Sequence, residues 1–121
     1  MQTILIVDDD SRTRKLLRRL LEPEQVAVIE AADGKEAVSM YRDNAPDVVV
    51  IDIIMPEKDG LSAIAEIRAI NRDVKLVAMS GGLVLNPCAY LEEAQRCGDD
   101  RILPKPIERN KFIPMIRELI H

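Results

Sequence analysis

The chain has 121 residues and a formal net charge of −4 at pH 7, and 47% of its residues are hydrophobic. These values suit one domain, residues 1–121, with one core, and the apolar content excludes a chain that is disordered by composition. The acidic balance and an aromatic content of 2% argue against a protein that binds nucleic acid directly. No apolar stretch approaches membrane-spanning length, and two cysteines with no framework suit a reducing compartment, so we expect a cytoplasmic protein.

Short apolar runs alternate with segments of helical spacing along the whole chain. Unbroken β-branched runs are typical of strands buried on both faces, which indicates an α/β domain with a parallel sheet. In chain order we predict a strand at 3–7, a helix up to Pro23, a strand at 26–29, a helix at 35–43, a strand at 48–51, a helix at 60–70, a strand at 75–79, a helix around Leu91 and Ala94, a strand at 102–103 and a helix at 109–120.

Carboxylates follow two of the predicted strands. Asp8 and Asp9 come directly after the first strand, and Asp52 comes directly after the third. If these strands are neighbours, the three carboxylates meet, because the carboxyl ends of parallel strands share one edge of the sheet. Like charges that close do not all stay ionised without a cation. A ligand set made only of oxygen atoms favours Mg²⁺, with Mn²⁺ as the second choice, over zinc.

A hydroxyl and an ammonium group follow two other strands. Ser80 ends the fourth strand segment, and Lys105 follows the fifth strand between Pro104 and Pro106. A carboxylate can attack phosphorus, while a divalent ion, a lysine and a hydroxyl each pair with a phosphoryl oxygen. The predicted edge of the sheet therefore suits transfer of a phosphoryl group onto an aspartate.

The ordered set of segments resembles the receiver domain of response regulators in two-component and phosphorelay signalling. This resemblance implies a flavodoxin-like (βα)5 doubly wound sandwich with a five-stranded parallel sheet in the order 2-1-3-4-5. It spans the whole chain in the order of the family. The segments that carry it are 4–10, 47–60, 80–81 and 104–106.

The resemblance also implies a role for each acidic residue. Asp52 would be the phosphoacceptor and would also bind the metal ion. Asp8 and Asp9 would hold Mg²⁺, with Asp9 the more direct ligand and Asp8 often acting through water. The backbone carbonyl of Ile54 would be a further ligand.

The hydroxyl and the lysine receive roles in the same way. Ser80 would be the switch hydroxyl, and Lys105 would pair with the phosphoryl group, with a cis peptide bond between Lys105 and Pro106. Ile102 stands where the family usually carries an aromatic switch residue, three positions before the lysine. We therefore expect this chain to switch without the usual swing of an aromatic ring.

By this resemblance the chain is a signalling phosphoprotein and not an enzyme, although it assists its own phosphorylation and dephosphorylation. A sensor histidine kinase or a histidine phosphotransfer protein would donate the phosphoryl group. A downstream protein of unknown identity would read the phosphorylated surface. No membrane and no nucleic acid would be contacted directly.

Two alternatives remain open at this point. Asp8 and Asp10 have the spacing of a haloacid-dehalogenase-type phosphatase, in which Asp8 would be the nucleophile. A receiver-like scaffold would bind partners without being phosphorylated. An Asp52→Asn variant separates these possibilities, because only the receiver hypothesis predicts loss of phosphorylation at that position.

The first predicted helix carries a basic cluster that has two readings. It is either a solvated face or a docking surface for a protein partner, and the sequence favours neither. The cluster consists of Arg12, Arg14, Lys15, Arg18 and Arg19.

Overall fold

The computed structural model describes residues 1–53, 60–80 and 101–120. The helix predicted around Leu91 and Ala94 lies outside these ranges. Within them, no helix is both long and apolar enough to pass through a membrane.

Strands and helices alternate as the sequence pattern predicts, with small differences at their ends. The second strand is the largest difference, because it begins later and continues through Glu30, which pairs with Ile6 of the first strand. The elements are β1 (Thr3–Val7), α1 (Ser11–Leu21), a 3₁₀ helix (Glu22–Glu24), β2 (Ala27–Ala31), α2 (Gly34–Asn44), β3 (Val48–Asp52), α3 (Gly60–Ile70), β4 (Lys75–Ser80), β5 (Arg101–Pro104) and α4 (Arg109–Leu119).

The five strands form one parallel sheet in the order β2-β1-β3-β4-β5. This confirms the predicted α/β class and the flavodoxin-like strand order. The strands in the middle of the sheet are covered on both faces, and every residue of β3 is buried. Val49 and Ile51 face a core shared with α2 and α3, while Val48 and Val50 face a core shared with α1 and α4.

Short polar side chains begin the first two helices. Asp10 accepts a hydrogen bond from the backbone N–H of Arg12, and Asp33 accepts one from that of Glu36. Both bonds satisfy N–H groups that have no partner inside the first turn of a helix. Asp10 thus caps α1, and Pro23 lies in the 3₁₀ helix that follows it.

The leucine side chains of α1 are not all buried. Leu17 and Leu21 are fully buried and Leu20 packs at the edge of the same core, but Leu16 is 41% exposed. Residues one turn apart share a face of a helix, whereas Leu16 lies about 100° from Leu17 around the axis. The side of α1 that carries Leu16 therefore faces solvent.

A close approach fixes the start of α3 against the end of β3. The Gly60 amide donates to the Ile53 carbonyl at 3.1 Å. A Cβ on Gly60 would overlap the Asp52 carbonyl oxygen and would lie 2.8 Å from the carbon of that carbonyl. Backbone atoms have little freedom to move away, so this position requires glycine. The contact anchors α3 directly to the strand end that carries Asp52.

Candidate functional site

The strand register brings three carboxylates to one edge of the sheet. Val7 of β1 pairs with Ile51 of β3, so the next residues, Asp8 and Asp52, stand side by side. Carboxylate oxygens of Asp8, Asp9 and Asp52 all lie within 4.8 Å of one another. The predicted convergence of the three carboxylates is confirmed. We call these three residues together with Lys105 the acidic pocket.

Lys105 connects the strand ends across the pocket. Its Nζ donates to Asp8 Oδ2 at 2.8 Å and to Asp52 Oδ2 at 3.0 Å. The lysine reaches this place because Pro104, the last residue of β5, pairs with Ser80 of β4. The Lys105 ammonium group therefore binds two carboxylates that lie 97 and 53 positions before it in the sequence.

The peptide bond between Lys105 and Pro106 is cis, as the resemblance implies. Ser80 is the last residue of β4, and its side chain is outside the part of the chain that the structure describes. Ile54 lies outside that part altogether. The proposed roles of Ser80 and of the Ile54 carbonyl therefore stay predictions.

Burial and charge distinguish the members of the pocket. Asp8 is fully buried and Asp52 is 5% exposed, whereas Asp9 is exposed. Burial alone would lower the pKa of Lys105, but its hydrogen bonds and its attraction to Asp8 and Asp52 outweigh that effect and raise the pKa. The ammonium group therefore stays protonated at neutral pH.

The pKa of Asp9 is also raised, but here the surroundings disfavour the charged form of the side chain. Partial desolvation contributes most, and the hydrogen bond and negative charge of Asp8 and the charge of Asp52 act in the same direction. A carboxylate whose neighbours disfavour its ionised form gains from a nearby cation. The electrostatics of the pocket thus favour binding of a positive ion beside Asp9.

Asp8 also contacts the loop that leads into α1. Its Oδ1 accepts a hydrogen bond from the backbone N–H of Asp10 at 2.9 Å, and its backbone carbonyl accepts one from Arg14 Nη1 at 2.6 Å. The sequence pattern did not assign Arg14 to the site. No local sequence signal indicates it, because its contacts depend on how α1 packs against β1 and β2.

The basic residues of α1 do not form one surface. Arg14 and Arg18 both bind Glu30 of β2, with N–O distances of 3.1 and 2.7 Å. Arg14, with a side chain that is 19% exposed, is therefore part of the folded scaffold, whereas the side chain of Arg18 is 46% exposed. We call Arg14, Arg18 and Glu30 the arginine cluster. The basic residues of α1 that are exposed and lie outside it are Arg12, Lys15 and Arg19.

Comparisons with known proteins agree with this geometry. The family model described as the response regulator receiver domain matches residues 4–117. The chain belongs to this family. Chemotaxis protein CheY of Halobacterium salinarum is a receiver relative that is 32% identical over 117 residues, with 97% of this chain and 95% of the relative covered.

Other receiver relatives are longer proteins. Response regulator MprA of Mycobacterium sp. is 35% identical over 118 residues, which cover 97% of this chain and 50% of the relative. Transcriptional regulatory protein CpxR of Klebsiella pneumoniae is 32% identical over 120 residues, which cover 99% of this chain and 50% of the relative. The chain thus spans about half the length of MprA and CpxR.

Solved receiver structures superpose closely on this chain. The receiver domain of the Francisella response regulator 1452 has a TM-score of 0.83 with 28% sequence identity, covering 98% of this chain and 96% of that structure. Response regulator TrrA of Thermotoga maritima, solved in complex with Mg²⁺-BeF, has a TM-score of 0.84 with 27% identity, covering 98% and 99%. The receiver fold is therefore shared across nearly the entire length of both structures.

The acidic pocket of this receiver domain fits a magnesium ion. Its donors are carboxylate oxygens, which Mg²⁺ prefers. Two oxygens bound directly to one Mg²⁺ lie at most about 4.2 Å apart, which is twice the ordinary bond length of about 2.1 Å. The observed spread of up to 4.8 Å is close to that limit, so small side-chain movements or one bridging water suffice.

Proposed function

We propose that this receiver domain accepts a phosphoryl group on Asp52 from a histidine kinase or a histidine phosphotransfer protein, in a reaction that requires Mg²⁺. One observation carries the proposal. The nearly buried Asp52 carboxylate is held by Lys105 at 3.0 Å and shares a pocket with two further carboxylates. This arrangement combines a nucleophile, a fixed cation and oxygen ligands for a second cation.

The residues of the pocket have complementary tasks in this reaction. An oxygen of Asp52 forms a bond to phosphorus while the bond between phosphorus and the donor breaks, and the donor keeps the electron pair. Lys105 remains protonated because its pKa is raised, so it can donate to a phosphoryl oxygen as negative charge accumulates there. Ser80 at the end of β4 would donate a hydrogen bond to another phosphoryl oxygen.

The resemblance implies the metal ligands, and the hydrogen bonds of Asp8 support its part in that set. Both oxygens of Asp8 accept hydrogen bonds, one from Asp10 and one from Lys105, so Asp8 suits a contact through water. Asp9, Asp52 and the Ile54 carbonyl would then be the direct ligands. A bound Mg²⁺ supplies charge neutralisation for the phosphoryl oxygens. The similar regulator TrrA was solved in complex with Mg²⁺-BeF, which supports a magnesium-dependent role for this chain by analogy.

Signalling would follow from the new charge on Asp52. A phosphoryl group adds about 1.5 to 2 negative charges at neutral pH, which Lys105 and Ser80 would face directly. The surface around β4 and β5 would adjust, and a downstream protein would recognise the adjusted form. In this role the chain is a phosphoacceptor that assists its own modification and is not a conventional enzyme.

The phosphatase alternative has weaker support from the pocket. A nucleophile needs an accessible oxygen, yet Asp8 is fully buried and both of its oxygens are engaged. Lys105 contacts both carboxylates, so the difference lies in exposure, because Asp52 is 5% exposed and Asp8 is not exposed at all. The scaffold alternative differs in its outcome, because it predicts no phosphorylation at all.

The test is incubation with Mg²⁺ and acetyl phosphate, followed by intact mass measurement. We expect the wild-type protein to gain one phosphoryl group, Asp52→Asn to gain none, and the matched surface variant Asp73→Asn to behave as wild type, because Asp73 is exposed. Phosphorylation of Asp52→Asn would support the phosphatase alternative. An unmodified wild-type protein would support the scaffold alternative.

A further inference from the structure

Arg14 joins the acidic pocket to the arginine cluster behind it. Its Nη1 donates to the backbone carbonyl of Asp8 at 2.6 Å, and its Nε donates to Glu30 Oε1 at 3.1 Å. The side chain is only 19% exposed, so both bonds are protected from water. Arg14 contacts no carboxylate of the pocket in the hydrogen bonds described, only the main chain that carries one.

The backbone carbonyl of Asp8 lies at the edge of the sheet. The Asp8 amide still belongs to the sheet, since it donates to the Ala31 carbonyl at 3.2 Å. The Asp8 carbonyl follows the last residue of β1, at the point where the chain leaves the sheet for α1. Arg14 is its hydrogen-bond donor there. The orientation of this carbonyl is therefore set by a side chain and not by the regular strand ladder.

The same carbonyl belongs to the peptide between Asp8 and Asp9. A peptide unit is planar, so the direction of the Asp8 carbonyl fixes the direction of the Asp9 amide. Rotation of this unit would turn the Asp9 side chain relative to those of Asp8 and Asp52. Arg14 thus binds the peptide unit that links two neighbouring carboxylates of the pocket.

Glu30 holds Arg14 in place from the other side. Burial alone would raise the pKa of Glu30, but the hydrogen bonds and charges of Arg18 and Arg14 outweigh it and lower the pKa. Arg18 shares Glu30 with Arg14, yet its second bond goes to the Val28 carbonyl at 3.3 Å and not to Asp8. The two arginines are therefore a natural pair of test and control residues.

We propose that Arg14 is a positioning residue for the divalent ion, because it fixes the Asp8–Asp9 peptide in the orientation that lets the carboxylates of the pocket share one cation. This inference rests on the proposed magnesium site. Arg14 would not touch the ion, and Glu30 would act only by orienting Arg14. Residues that orient metal ligands in this way commonly change metal affinity by about 10-fold to 100-fold when removed.

The experiment compares Arg14→Met and Arg18→Met with the wild-type protein by calorimetric titration with Mg²⁺. Each variant loses its bond to Glu30, but only the first loses the bond to Asp8. We expect Mg²⁺ to bind about 10-fold more weakly to Arg14→Met and within about 2-fold of wild type to Arg18→Met. Arg14→Lys, which keeps a charge and one reachable donor, should recover part of the affinity.

A second measurement is made without any metal ion. The backbone amide of Asp9 should change its NMR chemical shift in Arg14→Met and stay near its wild-type position in Arg18→Met, because only Arg14 binds the carbonyl of that peptide. Urea denaturation establishes that each variant is folded. If Arg14→Met does not fold, Arg14→Gln, whose shorter side chain is expected to lose the bond to the Asp8 carbonyl, takes its place in both measurements, with Arg18→Gln as its control.

The outcomes separate the inference from the proposed function. Equal Mg²⁺ affinities for the two methionine variants would overturn the positioning role, and so would an unchanged chemical shift of the Asp9 amide in Arg14→Met. In either case, binding of Mg²⁺ to the wild-type protein would still support the magnesium site. A wild-type protein that binds no Mg²⁺ would overturn the magnesium site and the inference with it.

Discussion

The acidic pocket and the arginine cluster meet at Asp8, yet their charges are arranged in opposite ways. In the pocket, partial desolvation together with Asp8 and Asp52 raises the pKa of Asp9, so its surroundings oppose its ionised form. In the cluster, Arg18 and Arg14 lower the pKa of Glu30 in spite of its burial. The negative charge of the acidic pocket is therefore available to bind a cation, whereas the ion pairs of the arginine cluster stabilise the fold. Sites for ligands are commonly less stable than the scaffold around them.

The largest expected effect comes from removing the ammonium that binds both buried carboxylates. We expect Lys105→Met to lower the free energy of unfolding at pH 7, without divalent ions, by about 2–4 kcal/mol, because the carboxylates of Asp8 and Asp52 lose a buried partner. The estimate is below the usual range for fully buried pairs since Lys105 is 25% exposed. Urea denaturation measures the change.

The pH dependence gives this prediction a control. The pKa of Lys105 is raised in the folded state, so its contribution is complete below the unfolded pKa of about 10.4 and is lost as the pH rises through the folded pKa. Mg²⁺ should restore more stability to the variant than to wild type. Equal stability of Lys105→Met and wild type at pH 7 would contradict the assigned charge balance of the pocket.

A smaller loss is expected from neutralising the carboxylate of the arginine cluster. Glu30→Gln should lower the free energy of unfolding by about 1 kcal/mol at pH 7, because two partly buried ion pairs are lost. The folded pKa of Glu30 is lowered, so its contribution is present above the unfolded pKa of about 4.3 and disappears as the pH falls through the folded pKa. Urea denaturation at several pH values measures this dependence.

The matched control is Glu118→Gln. Glu118 pairs with Arg101 at 3.5 Å, but its side chain is mostly exposed, so solvent screens the pair. Its replacement should change stability much less than Glu30→Gln. An equally large effect at Glu118 would mean that the burial of the arginine cluster adds nothing to its strength.

The smallest expected effect has the opposite sign. Asp9→Asn should raise the free energy of unfolding at neutral pH without divalent ions, by less than about 0.5 kcal/mol, because solvent screens the exposed Asp9. The folded pKa of Asp9 is raised, so its ionised form destabilises the protein as the pH rises through the unfolded pKa of about 3.9 and above. Thermal unfolding across this pH range measures the difference.

Addition of Mg²⁺ should make the wild-type protein more stable than Asp9→Asn. The wild-type protein gains a ligand for the ion at Asp9 that the variant lacks, so its stability should rise more on addition of Mg²⁺. If Asp9→Asn were less stable than wild type without the ion, the ionised form of Asp9 would not be destabilising, and the difference drawn between the acidic pocket and the arginine cluster would be wrong.

The fold could be predicted from the sequence because its signals are local. Buried runs such as Val48 to Ile51 indicate strands, and residues such as Asp10 indicate where helices begin. The convergence of Asp8 and Asp52 followed from one general rule, that parallel strands end at the same edge of a sheet. The register of Val7 with Ile51 then places them side by side.

The contacts of Arg14 could not be predicted in the same way. They depend on how α1 is rotated over the sheet, and the packing of Leu17 and Leu21 decides that rotation. They also depend on β2 continuing through Glu30, beyond the end predicted from its apolar run. The local sequence pattern of α1 predicts neither the rotation of the helix nor its partner on another strand.

The most direct test of the central claim identifies the residue that carries the phosphoryl group. The protein is treated with Mg²⁺ and acetyl phosphate, the acyl phosphate is reduced with borohydride, and the resulting peptides are mapped by mass. The account predicts conversion of Asp52 to homoserine and no conversion of Asp8 or Asp9. Conversion at Asp8, or at any position other than Asp52, would contradict it.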